Sequence, residues 1–180
     1  NLARCIAINS TITIQRNEEA FATFNPIQIT AGEMLYGRII NVLGQPIDHK
    51  GKIEGSEKFN IRRPDMGSNV KLKDSGQRTF EVMETGIKII DLLSPVVKGS
   101  KTGILGGAAL GKSILTLEII QHIVKKYQGS CVFVGIGERI REGNELYFEL
   151  IKHEVLSKTM LVFGQMNEPT GARSGVAMTG

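Results

Sequence analysis

Eight consecutive residues, Gly106-Gly107-Ala108-Ala109-Leu110-Gly111-Lys112-Ser113, fit the pattern Gly-x-x-x-x-Gly-Lys-Ser/Thr at every fixed position. Glycines let successive backbone N–H groups turn inward around a chain of phosphates. A helix starting at the lysine adds its dipole and its unpaired N–H donors. Lys112 is then placed to bridge outer phosphates, and the Ser113 hydroxyl to face Mg²⁺. A second group of chemical side chains, Glu138-Arg139-Ile140-Arg141-Glu142, sits between Gly137 and Gly143. A carboxylate there can polarise water for attack on a terminal phosphate, and an arginine can neutralise charge on it. A solvated turn with Glu138–Arg and Glu142–Arg pairing is the plainer reading of the same residues, and the pattern alone weighs the two evenly.

The elements around these residues are the ones such chemistry needs. Residues 102–105 are a short β-prone run, and 114–127 carry enough apolar positions for a helix buried on several sides. Lys125 and Lys126 suit its last turn and Gly129 its end. Residues 130–135 and 159–164 read as strands, with a helix over 142–155 between them. Strand, loop, helix, strand, helix, strand predicts an α/β fold with a parallel sheet. In such sheets ligands bind beyond the carboxyl ends of the strands, where both groups of residues fall. The context sets the loop apart from an ordinary glycine-rich turn before a helix.

Upstream the pattern changes. Residues 4–14 alternate loosely through Cys5, Ile6, Ile8, Ile12 and Ile14, and Ile27 and Ile29 mark another short strand. This predicts the end of a small β-domain that more chain or a partner completes. Residues 38–43 are a strand candidate closed by the turn Gly44-Gln45-Pro46. Residues 48–55 and 59–76 read as loop and irregular chain, and 80–93 as a strand followed by a short helix ending at Ser94-Pro95. Residues 164–180 are polar and glycine-rich.

A hydrophobic content of 41% with 22% charged residues is that of an ordinary soluble globular protein. The formal net charge of +4 is spread along the chain, so it marks a solvated surface and not a nucleic-acid arm. The two cysteines, Cys5 and Cys131, sit in apolar runs, are not spaced as a metal pair, and read as buried thiols. No apolar run is long enough to span a bilayer, and no basic-then-apolar leader opens the chain.

With these residues in view, the chain resembles the catalytic beta subunit of the F-type ATP synthases. The matching pieces are Thr85-Gly86-Ile87-Lys88, Ile90-Asp91-Leu92-Leu93, the glycine-rich loop, Gly137-Glu138-Arg139 with Arg141-Glu142-Gly143-Asn144, and Gly164-Gln165-Met166-Asn167-Glu168-Pro169 with Gly171-Ala172-Arg173. Leu43-Gly44, Pro46-Ile47-Asp48 and Arg4-Cys5-Ile6-Ala7 also match. The resemblance implies a P-loop NTPase fold of the RecA-like kind. Residues 1–30 would be the end of an N-terminal β-barrel, and 31–180 the first part of the nucleotide-binding domain. It further implies ATP or ADP with Mg²⁺ as ligand. Residues 106–113 would hold the phosphates and Lys112 the outermost ones. Ser113 and Glu142 would serve the metal, Glu138 would orient the attacking water, and Arg139 would sit by the terminal phosphate. The partners implied are alpha-type subunits in an alternating hexameric ring and a gamma-type central stalk, with no nucleic acid. Membrane contact would come only through other subunits, on the soluble face of an energy-transducing membrane.

Some residues depart from that family pattern. Ala109 stands where the family usually has glycine; if the site requires positive φ, a methyl group there costs about 1–2 kcal/mol. Ser113 replaces a usual threonine and keeps the hydroxyl, Ile140 replaces a usual threonine, and Thr170 a usual proline. Residues 153–158 are shorter than the family's stretch and 59–76 match poorly. The sequence starts at Asn1 without methionine and stops at Gly180, ahead of the strand that would supply an Mg²⁺-coordinating aspartate. Part of a longer catalytic chain is therefore one expectation. A degenerate non-catalytic remnant is the other, and a related flagellar or type III export ring ATPase, or a transcription-termination helicase, the third. The runs Arg141-Glu142-Gly143-Asn144 and Met166-Asn167-Glu168-Pro169 argue against the third.

Overall fold

Residues 159–164 form the strand around which the fold is built, and their apolar run has two faces to fill. A computed structural model of the chain describes residues 3–55, 57–62, 81–107 and 110–180. In chain order these form β1 (Gln28–Thr30), β2 (Ile39–Ile40), β3 (Lys58–Asn60), β4 (Val82–Met83), α1 (Lys88–Leu93) and β5 (Val96–Val97). Then follow α2 (Lys112–Tyr127), β6 (Cys131–Ile136), α3 (Ile140–Lys152), β7 (Thr159–Gly164) and α4 (Thr170–Thr179). Every residue of β7 is buried. It lies between β2 and β6, parallel to both, with Cys131 opposite Thr159 and Ile136 opposite Gly164.

Side chains alternate across a strand, so β7 serves two cores. Met160 and Val162 join Leu35, Ile40, Val42, Ala172 and Val176 on the α4 side. Leu161 and Phe163 join Leu117, Ile120, Leu146, Leu150 and Val155 on the side of α2 and α3. Gly143, Leu146 and Leu150 give α3 its buried stripe at helical spacing. Covering both faces is what allows β7 to be apolar from Met160 to Phe163. The α/β class and the parallel sheet are as the sequence predicts, and β6, α3 and β7 fall within two or three residues of their expected bounds.

The loop over 48–55 holds an ion pair that the sequence does not announce. Arg38 donates to both carboxylate oxygens of Asp48, at 2.6 and 3.0 Å, and to the Gly51 carbonyl at 2.7 Å. The Asp48 side chain is only 2% exposed. Burial pushes its pKa up, but Arg38 and the N–H groups of Lys50 and Ile39 outweigh burial and bring it down to about 2. The turn before it forms as read: Gly44 has a φ of 71°, where a side chain would be strained. Asn41 N donates to the Gln45 carbonyl at 2.9 Å.

Other expectations need correction. Residues 4–14 carry no strand, and Ile6 and Ile12 are 76% and 93% exposed. Of the early β-signals only β1 forms, paired antiparallel with β3. Loose alternation without a paired edge leaves nothing to bury the apolar side. Cys5 is accordingly exposed, and Cys131 is half-buried; both are free thiols. Residues 102–105 form no strand, and Leu105 is fully exposed. Gly103 has no side chain to pack, and no described strand pairs with this run. The helix α2 buries Leu117 and Ile120 on one side but leaves Ile114 68% exposed, so it is not enclosed on several sides. Gln128, not Gly129, takes the left-handed φ of 49° after α2. Residues 170–179, read as polar tail, are the helix α4. The expectations for residues 63–80, including the start of the strand read over 80–93, lie outside the described residues.

Candidate functional site

The charged turn follows the carboxyl end of β6, near enough to the loop for the Lys112 charge to act on Glu138. Gly111, with a φ of 77°, immediately precedes Lys112, the first residue of α2. An L-residue rarely adopts that conformation, so the fixed glycine of the pattern is needed for the chain to swing into the helix. The Lys112 ammonium donates to the carbonyls of Gly106 and Gly107 at 2.6 and 3.0 Å, which curls the loop around it. Gly106, Gly107, Leu110, Gly111, Lys112 and Ser113 are all exposed to solvent. Ala108 and Ala109, expected to line the same loop, lie outside the described residues.

The charged turn is held more firmly. Gly137, with a φ of 68°, leaves β6 and donates its N–H to the Gly164 carbonyl at 2.7 Å. Met166 N donates to the Glu138 carbonyl at 3.1 Å. The ends of β6 and β7 therefore fix the backbone on both sides of Glu138. Gly135 is buried under the Phe163 ring, where an added Cβ would fall 2.5 Å from Phe163 Cδ1 and 3.0 Å from Glu138 Cγ. Gly143 on α3 lies against the same ring and against Gln165. These two glycines bring the strand, the helix and the Glu138 stem together. The sequence reading named neither for this; glycine inside a strand pattern is the signal that could have found Gly135.

Burial and the neighbouring Glu142 carboxylate, which accepts from the protonated Glu138 carboxyl and repels its charge, push the Glu138 pKa up, while the Lys112 ammonium pulls it down. Those influences place Glu138, Glu142 and Lys112 in one electrostatic neighbourhood. The expected Glu138–Arg and Glu142–Arg pairs are not among the ion pairs of the described residues. Arg141 instead pairs with Glu145 at 3.2 Å on the exposed face of α3. Arg139 is the exposed residue just before α3 and takes no described ion-pair partner. Two neighbouring carboxyl groups in the field of an ammonium can hold a proton, orient a water, or turn toward a cation.

A divalent cation is tested by the donors present. The Ser113 hydroxyl and the Glu138–Glu142 pair are hard oxygen donors of the type Mg²⁺ takes. Among the described residues no group of three or more His, Cys, Asp or Glu converges on one point. The donors present are of the type a hard divalent cation takes, and they are too few among the described residues to enclose one. No described helix is long and apolar enough to cross a membrane.

On the other side of β7, Pro169 precedes α4, whose first turn crosses the strand end. A Cβ on Gly164 would lie 3.3 Å from Arg173 Cα. Arg173 donates to Thr170 Oγ1 at 3.3 Å, and its Nε is buried without a partner among the described residues. With that geometry in view, one comparison bears on the chain. The sequence model of the ATP synthase alpha/beta family, nucleotide-binding domain, matches residues 86–180. The match begins in the turn before α1 and takes in the loop, the charged turn, β7 and α4.

Proposed function

The chain belongs to the ATP synthase alpha/beta family, whose nucleotide-binding domain matches more than half of it, and from that premise we propose that it is a catalytic, beta-type subunit. The reading is of a rotary ATP synthase subunit that makes or hydrolyses ATP coupled to proton transport. One observation carries it. Glu138 leaves the end of β6 with its pKa raised by burial and Glu142, inside the field of the loop lysine. A carboxylate poised beside the phosphate loop is what in-line attack by water requires, and a loop that only binds nucleotide has no use for it.

In this reading the substrate is a nucleotide with Mg²⁺, and the cation would supply neutralisation of phosphate charge. The backbone N–H groups of residues 106–113 hold the phosphate chain. Lys112 leaves the Gly106 and Gly107 carbonyls for the outer phosphates. The Ser113 hydroxyl and the Glu142 carboxylate would hold the cation. Glu138 accepts a hydrogen bond from the attacking water, and Arg139 neutralises the terminal phosphate. Residues 1–30 belong to a preceding β-barrel and 31–180 to the nucleotide-binding domain. The chain takes its place between alpha-type subunits in a hexameric ring around a gamma-type stalk, with no nucleic acid, peripheral to an energy-transducing membrane.

The test uses the full chain in its ring. Glu138→Gln is expected to retain Mg-ATP binding and lose turnover, whereas Lys112→Ala is expected to lose binding. A Glu138→Gln ring that turns over at the parent rate would remove the catalytic reading and leave a nucleotide-binding subunit.

A further inference from the structure

The phosphate loop is tethered at both ends to one helix. Its downstream end becomes α2 at Lys112. Its upstream end leaves a small closed unit, in which β4 pairs antiparallel with β5 and α1 lies between them. That unit is braced internally. The Asp91 carboxylate accepts from Thr85 N and Thr85 Oγ1 at 2.8 and 2.7 Å, and from Gly86 N at 3.0 Å. Lys98 N donates to the Glu81 carbonyl at 2.9 Å, closing the unit just where the chain departs for the loop.

The unit docks on the opposite end of α2 from the loop. Glu84 N donates to the Tyr127 hydroxyl at 3.0 Å. Lys98 and Lys126 lie over the Tyr127 ring at 5.6 and 5.7 Å, and Lys126 also pairs with Glu84. His122 meets Tyr127 edge-on at 6.3 Å. On its other side His122 touches Gly86, where a Cβ would fall 2.6 Å from Nδ1. Gly86 has a φ of 79°, so both its turn and this approach require glycine. The Tyr127 side chain touches both the unit's backbone at Glu84 and the side chain of Lys98, eight residues ahead of Gly106. The 16 residues of α2 set the separation of the two tethers at about 24 Å.

We propose that Tyr127 is a positioning residue for the phosphate loop: it pins the upstream tether to α2, so that the loop is already confined when nucleotide binds. The proposal rests on the nucleotide reading for its consequence but not for its geometry. A loop whose flanking chain is held at Lys98 on one side and at Lys112 on the other samples fewer arrangements than a free one, and preorganisation of that kind appears as affinity. Releasing one tether returns that freedom, and phosphate must then order the loop itself.

The experiment compares the full chain with Tyr127→Phe and Tyr127→Leu. Leucine is a good helix former, so α2 is retained, while both the ring and the hydroxyl are lost. Phenylalanine keeps the ring for the two lysines and His122 and loses only the hydroxyl. Amide hydrogen exchange at Lys98 and Ser100, whose N–H groups are bonded to the Glu81 and Val97 carbonyls, is expected without nucleotide to speed up several-fold in Tyr127→Leu and less in Tyr127→Phe. The Mg-ADP dissociation constant is expected to weaken about tenfold and about two- to threefold in the same order. Exchange within β6 and β7, which a general loss of stability would speed, should not change. Unaltered exchange at Lys98 and Ser100 in Tyr127→Leu overturns the proposal, and so does acceleration spread equally through β6 and β7. Faster exchange at Lys98 and Ser100 in a chain whose nucleotide binding does not depend on Lys112 upholds the tether and overturns the nucleotide reading.

Discussion

The two halves of the candidate site are held in opposite ways. The turn around Glu138 is clamped by backbone bonds from the ends of β6 and β7, and its stem lies near Gly135, which is buried under Phe163. The phosphate loop is exposed along its described length, and its own lysine gathers it by donating to two of its carbonyls. The turn is preorganised by a packed core, which moves little because interiors are close-packed. The loop's geometry depends on a single charged side chain and on where its two ends are tied. A substitution should therefore act on the loop mainly through binding, and on the turn mainly through chemistry and folding.

The largest expected effect lies in the loop. Lys112→Ala removes both the ammonium that would meet the outer phosphates and the contact that curls Gly106 and Gly107. Mg-ATP affinity is expected to fall about 100-fold, or about 3 kcal/mol, with little change in melting temperature. Isothermal titration beside a thermal melt checks both parts. Equal binding by the variant would end the phosphate-loop assignment and with it one side of the comparison.

On the turn, the corresponding change is Glu138→Gln. Shape and backbone bonds are kept while the basic oxygen is lost. Turnover in the assembled ring is expected to drop about 100- to 1000-fold, with binding changed by less than about threefold. A variant that loses affinity and keeps its rate per bound nucleotide would reverse the roles assigned to the two halves.

What the sequence made legible follows the same division. The loop pattern is local, since eight residues carry their own chemistry, and Gly111 and Lys112 take the positions the pattern predicts. The strand expected to feed it is not local. Residues 102–105 have β-prone side chains, but a strand exists only where a partner edge accepts it, and no described strand does. The clamp on Glu138 was illegible for a similar reason. Gly135 and Phe163 are far apart in sequence and meet only because β6 and β7 pair in register. Arg38 and Asp48 were hidden because a charged residue in a polar loop reads as solvated, whereas Asp48 is buried. The helix α4 was legible and missed. Ala172, Val176 and Thr179 recur at helical spacing, but Gly171 and Gly175 lowered the apparent propensity, and burial against β7 overrode it.

A smaller effect tests the packing of the turn directly. Gly135→Ala places a methyl where the Phe163 ring and the Glu138 stem already lie. The ring must shift, and α3 with it through Gly143. Overpacking of this kind is expected to destabilise the fold by about 2 kcal/mol, read as a lower urea midpoint at unchanged slope. The same substitution at Gly107, whose nearest neighbour is the end of the Leu110 side chain, is expected to leave stability within about 0.5 kcal/mol. Equal losses at the two glycines would mean that the loop is as tightly packed as the turn, contrary to the comparison.

The smallest effect asks whether the two halves sense each other. The Glu138 pKa is raised by burial and by Glu142, and held back by Lys112. A carboxyl whose folded pKa lies above its unfolded value favours the protonated form on folding. Its ionisation therefore opposes folding, absent in acid and growing as pH rises through the ordinary carboxylate range toward the folded pKa. Lys112 lessens that opposition by favouring the charged form. In Lys112→Ala the Glu138 carboxyl should titrate at higher pH than in the parent chain, observable by carbon NMR of the side-chain carboxyl. The stability lost on substitution should be greater near neutral pH than in acid. In Glu142→Gln the carboxyl should move the other way, because one of the groups raising it loses its charge. A Glu138 titration indifferent to Lys112 would separate the loop from the turn electrostatically and remove the observation on which the catalytic reading rests, even if the loop still bound nucleotide.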